Sequence, residues 1–87
     1  MSLTIWKYEA ASGIVHQIPF GAICLTVQVQ AGKAQMWFLV NPKADLQTRC
    51  FRIYGTGHKI EDVDSAEDYC GTFQDGPFVW HVFEVAP

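Results

Sequence analysis

The sequence predicts an all-β domain, a small antiparallel β sandwich or barrel of about seven short strands with at most one short helical turn. Three observations carry this. β-branched and aromatic residues fall in short runs. Gly, Pro, Asn and Asp punctuate those runs at short intervals, as turn chemistry requires. Within several runs, apolar and polar residues alternate with the period of two that puts successive side chains on opposite faces of a strand.

The elements follow in order. "TIWKYEA" reads as a first strand and "GIVHQIP" as a second, with Ser12-Gly13 turning between them. "AICLTVQVQ" and "AQMWFLVN" form the clearest hairpin, joined around Ala31-Gly32-Lys33. Asn41-Pro42 ends it, and "PKADLQ" leads to a fifth strand, "TRCFRIYG". "YCGTFQ" and "FVWHVFEV" make a closing hairpin around Asp75-Gly76-Pro77. Ser65-Ala66-Glu67-Asp68 has the capping residues for a single helical turn, and "KADLQ" is an equally marginal helix.

Alternation assigns faces. Ile23, Leu25, Val27 and Val29 should share a buried side, opposite Cys24, Thr26, Gln28 and Gln30. Met36, Phe38 and Val40 should oppose Gln35, Trp37 and Leu39; Phe51 and Ile53 should oppose Cys50, Arg52 and Tyr54. The last strand is apolar on both sides, with Val79, His81, Phe83 and Val85 on one and Phe78, Trp80 and Val82 on the other. That predicts a central strand or one covered on both faces. Its pairing with the first strand is compatible with the pattern without being dictated by it.

The 87 residues read as one β domain spanning 1–87, with Met1-Ser2-Leu3 having the look of a cloning scar. The chain is 49% hydrophobic and only 17% charged, which excludes a disordered polymer and leaves an apolar share on the surface. The net charge of −3, with Lys and Arg scattered at 7, 33, 43, 49, 52 and 59, argues against nucleic acid. No apolar run has the length of a membrane helix. Cys24, Cys50 and Cys70 are odd in number and widely spaced, which fits neither a disulfide framework nor a zinc knuckle. A reducing cytosol is the expected setting.

Gly55-Thr56-Gly57-His58 invites a phosphate-loop reading, with Lys59 close by. No helix of useful length follows it, and Glu61, Asp62, Asp64, Glu67 and Asp68 would repel a phosphate. The glycines are better spent on a turn. His16, His58 and His81 lack the paired spacings of a metal centre, and the acidic run lacks the residues of a calcium loop. No cofactor or metal is expected. A catalytic thiol would need Cys50 or Cys70 to meet His58 or His81; a cysteine packed as a small hydrophobe is the commoner outcome. His81 is read either as a hydrogen-bonded core histidine or as a polar handle in an aromatic face. Trp6 and Tyr8 share one side of their strand, as do Arg52 and Tyr54. Trp6, Tyr8, Trp37, Arg52, Tyr54, His58 and His81 are therefore the candidate binding residues, because Trp, Tyr and Arg anchor interfaces.

Taken together, "IWKYE", "VQVQAGKAQMWFLVNP", "TRCFRIYGTGHKI" and "YCGTFQDGPFVWHVFEV" resemble a family of small uncharacterised proteins of tailed phages and prophages. The resemblance runs from Thr4 to Val85, with Gly55-Thr56-Gly57-His58 and the closing strand its most specific parts. It implies a bacterial host cytosol and an accessory, non-enzymatic role. The expectation is a small protein-binding β module that meets a host protein or a second copy of itself. The alternatives are a structural virion or assembly component, and a small-ligand-binding or hydrolytic domain using His58 and His81.

Overall fold

The structure is a computed structural model and describes residues 2–63 and 65–87. Its strands are β1 (Thr4–Glu9), β2 (Val15–Pro19), β3 (Ile23–Gln30), β4 (Lys33–Val40), β5 (Leu46–Gly55), β6 (Tyr69–Asp75) and β7 (Phe78–Val85). A 3₁₀ turn, Ala66–Asp68, the one helical element among the described residues, precedes β6; the Ser65 hydroxyl caps it by accepting from the Glu67 amide at 3.2 Å. "KADLQ" forms no helix. All strand pairs are antiparallel, in two sheets ordered β1-β4-β3 and β2-β5-β7-β6. The molecule is a sandwich, and its shortest extent of 18 Å fits two stacked sheets with their side chains. The last strand lies centrally between β5 and β6, as its two apolar faces predict, and does not pair with the first.

The hairpins use the turn residues the backbone demands. Gln30 and Lys33 are cross-strand partners, so the β3–β4 turn is Ala31-Gly32 alone, both with positive φ (53° and 78°). That is the primed turn whose twist matches the flanking strands.

Ile18, Met36, Phe38, Val40, Phe51 and Val82 form the fully enclosed core, with Ala10, Ala22 and Val27 beside them. Phe38 and Phe51 meet edge to face across the sandwich at 5.9 Å, and Tyr8 adds a second T-shaped contact to Phe38 at 5.6 Å. The faces predicted for β4 and β5 are the observed ones.

β3 departs from its prediction. Leu25 is an extra residue between the Cys24–Phe38 and Thr26–Trp37 pairs, a β-bulge. The bulge turns Cys24 inward with Phe38 and sends Ile23 outward with Leu39, while Val27 and Val29 face inward opposite Met36 and Ala34. Ile23 and Leu25 are 61% and 48% exposed, so the four aliphatics do not share a buried side.

A partly exposed ion pair borders the core. Arg49 has the same parity as Phe51 and Ile53, and Glu84 the same parity as Val82. Arg49 donates from Nε and Nη2 to the two Glu84 carboxylate oxygens at 2.8 and 2.6 Å, and from Nη1 to the Ala22 carbonyl at 2.7 Å. Its guanidinium lies 5.2 Å from the Phe38 ring centre. The flanking Glu84 carboxylate raises the Arg49 pKa further, outweighing burial.

Candidate functional site

The outer face of the four-stranded sheet gathers three of the candidate residues. Arg52, Phe83 and Tyr69 form one cross-strand row, and Tyr54, His81 and Thr72 the next. His81 is on this outer face rather than in the core. Its Nε2 lies 2.7 Å from the Thr56 hydroxyl and its Nδ1 2.9 Å from the Thr72 hydroxyl, which in turn bonds the Tyr69 hydroxyl. Phe83 is flanked by the rings of Tyr54 and Tyr69 at 5.9 and 5.4 Å.

The segment between β5 and the 3₁₀ turn roofs this face. Asp62 accepts from Arg52 Nη1 at 2.7 Å. Ile60, Val63, Ser65 and Ala66 enclose a groove of about 360 Å³ with Tyr69 and Phe83. The acidic run thus spends Asp62 on Arg52 and Glu61 on Lys59 (3.2 Å); Asp64 lies outside the described residues. The Tyr54 hydroxyl is screened from solvent and makes no hydrogen bond to the described residues. Local desolvation raises its pKa, and the nearby Asp62 charge adds to the rise.

His58 is on the other side of the same sheet. The Gly55 amide donates to its Nδ1 at 3.1 Å and its own amide donates to the Gly55 carbonyl at 3.0 Å, so the imidazole closes its own turn. A Cβ on Gly55 would stand 2.7 Å from His58 Cε1, and Gly57 has a φ of 87°. One glycine therefore makes room for the imidazole and the other makes the turn. The ring meets Trp80 edge-on at 6.2 Å. The structure does not bring His58 and His81 together. Among the described residues no three His, Cys, Asp or Glu side chains cluster as a metal site.

Trp6 and Tyr8 do share a face, opposite Phe38 and Met36 on the core side of β1. Tyr8 packs against the core and against His16 at 5.1 Å, and burial raises its pKa; Trp6 remains 39% exposed at the sheet edge.

The outer face of the three-stranded sheet is of another kind. Ile5, Leu39 and Ile23 form a continuous cross-strand row, and Lys7, Trp37 and Thr26 the row beside it. Ile5 and Ile23 are 53% and 61% exposed, Leu25 is exposed next to them, and Leu39 and Trp37 are half-buried. Glu9, Gln35 and Gln28 continue the face as a polar margin, and Lys7 Nζ donates to Gln30 at 2.6 Å. Sequence reading picked out Trp37 here and missed the aliphatic row, because the bulge at Leu25 hides Ile23's outward direction.

Fold and surfaces define a small antiparallel β-sandwich module with one roofed and one open outer face. The chain belongs to the family described as "Domain of unknown function (DUF7352)", whose model matches residues 1–87. No curated protein and no solved structure matches it. No helix among the described residues is long and apolar enough to cross a membrane.

Proposed function

We propose that the protein is a non-enzymatic binding module, a phage or prophage accessory protein of the bacterial host cytosol, which engages a protein partner through the open face of β1-β4-β3. The observation that carries this reading is the Ile5–Leu39–Ile23 row, three large aliphatics side by side with two of them more than half exposed. Contiguous apolar surface with a polar margin marks interaction sites on soluble proteins. Trp37 beside the row supplies the aromatic anchor such interfaces favour. The resemblance of the strand and loop segments to phage and prophage proteins supports the setting.

The test is affinity capture from a bacterial host lysate, run with the wild-type chain, Ile23→Lys, Leu39→Lys and Arg52→Ala, with light scattering on each. The two lysine variants should lose the captured protein, or lose self-association if the partner is a second copy, while Arg52→Ala retains it. Equal capture by wild type and both lysine variants would sink the open-face reading. Growth of the wild type into large regular assemblies would favour a structural virion or assembly part instead.

A further inference from the structure

Where the two sheets meet edge to edge, β3 and β6 face each other without a ladder between them. Each edge carries a bulge here, Leu25 after Cys24 on β3 and Cys70 itself between Tyr69 and Gly71 on β6. The strands press together at this point. A Cβ on Gly71 would stand 2.7 Å from Val27 Cγ2 and 3.0 Å from the Val27 backbone nitrogen. The Cys24 thiol donates to the Cys70 carbonyl oxygen at 3.8 Å, and the Cys70 thiol to the Asp68 carbonyl at 3.9 Å. Both are free and half-buried, and they line a groove of about 280 Å³ together with Arg49, Glu67, Asp68 and Glu84. Two cysteines 46 positions apart in sequence are thus placed side by side, with an opening large enough for a small oxidant.

We propose that Cys24 and Cys70 form a redox-active dithiol that closes to an inter-sheet disulfide on meeting a peroxide. Cys24 is the attacking group. Hydrogen bonding from Cys70 favours its thiolate against the opposing effect of burial, and the Arg49 charge also helps. The Cys24 thiolate attacks one peroxide oxygen and the O–O bond breaks, leaving a sulfenic acid on Cys24 and a hydroxide. The hydroxide takes the Cys70 proton and becomes water. The Cys70 thiolate then attacks Cys24 sulfur, the S–O bond breaks, the S–S bond forms, and the departing hydroxide is protonated to a second water. Two thiols lose two electrons and two hydrogens, and the peroxide becomes two waters. Cys50 stands apart. It lies on β5, opposite Val85, with the outward parity of Arg52 and Tyr54.

The experiment treats the full chain with stoichiometric hydrogen peroxide and maps the product by intact mass and peptide analysis. The expected product is lighter by about 2 Da, linked between Cys24 and Cys70 with Cys50 still free, and returned to its starting mass by a dithiol reductant. The oxidised chain should melt at higher temperature, because the link closes a long loop. Cys50→Ser should behave as the wild type; Cys24→Ser and Cys70→Ser should give no intramolecular link. A wild-type chain that reacts first at Cys50, or stops at sulfinic acid on Cys24 without a link, overturns the proposal whether or not the serine variants fold.

Discussion

The two outer faces of this sandwich are built from different residues and differ in how far those residues are engaged. On the four-stranded sheet, Arg52, Tyr54, His81 and Phe83 look like an interface, yet Arg52 is engaged by Asp62, His81 by two threonine hydroxyls and Phe83 by two tyrosine rings, and Tyr54 packs by its ring while its hydroxyl has no partner among the described residues. On the three-stranded sheet, plain aliphatics stand in solvent, with none of the described residues covering Ile5, Ile23 or Leu25. Residue type alone would rank the first face as the binding surface; the state of satisfaction ranks the second. A polar aromatic surface whose groups already have partners gains little by exchanging them, whereas exposed aliphatic area gains on any dry contact, at about 25 cal/mol per Å² removed from water.

That contrast can be broken by substitutions ordered by size of effect. The largest should come from the ion pair bordering the core. Arg49→Ala leaves Glu84 half-buried without its two charge-assisted bonds, and should cost about 2 kcal/mol, below the full buried-pair penalty because the pair is partly exposed, read as a lower denaturant midpoint. On the roofed face, Phe83→Ala removes the ring between Tyr54 and Tyr69 and should cost no more than about 2 kcal/mol by the same measurement. The next effect appears only with pH. Tyr54's folded pKa is raised above its ordinary value of 10.0, so the stability gained by keeping it neutral is whole below that value. It is lost as pH climbs through the folded pKa. Tyr54→Phe should flatten this alkaline fall in melting temperature, and near neutrality it should be neutral or slightly stabilising, since the hydroxyl it removes has no partner among the described residues. Smallest of all, Ile5→Lys on the open face should change stability by less than about 0.5 kcal/mol in equilibrium unfolding. A large loss there would mean that the face is structural.

Much of this was legible from alternation and turn residues, because a strand's period and a positive-φ glycine are local properties. All seven strands, the capped turn at Ser65, and the faces of β4, β5 and β7 were readable for that reason. Tyr54 and Arg52 were correctly placed on one side of β5. What escaped was non-local. Arg49 shares parity with Phe51 and Ile53, so the pattern did point it inward, but nothing local announces that Glu84 waits there. Cys24 and Cys70 meet only because two sheet edges meet. The turn was read as the work of the glycines and His58 as a binding candidate, whereas the imidazole closes the turn and the missing Cβ of Gly55 gives its ring room. The aliphatic row was invisible because one inserted residue shifts the faces of β3.

That insertion has a practical consequence for reshaping the surface. Along β3 the inward positions are even-numbered up to Cys24 and odd-numbered from Val27 onward, so Leu25 acts as a frame boundary inside a single strand. Deleting this one residue would restore a uniform alternation with Ile23 still outward and Cys24 still inward, because Cys24–Phe38 and Thr26–Trp37 are already successive pairs. The extra residue can be lost without moving the strand's row on the open face or its thiol, whereas a regular ladder that kept it would displace both at once.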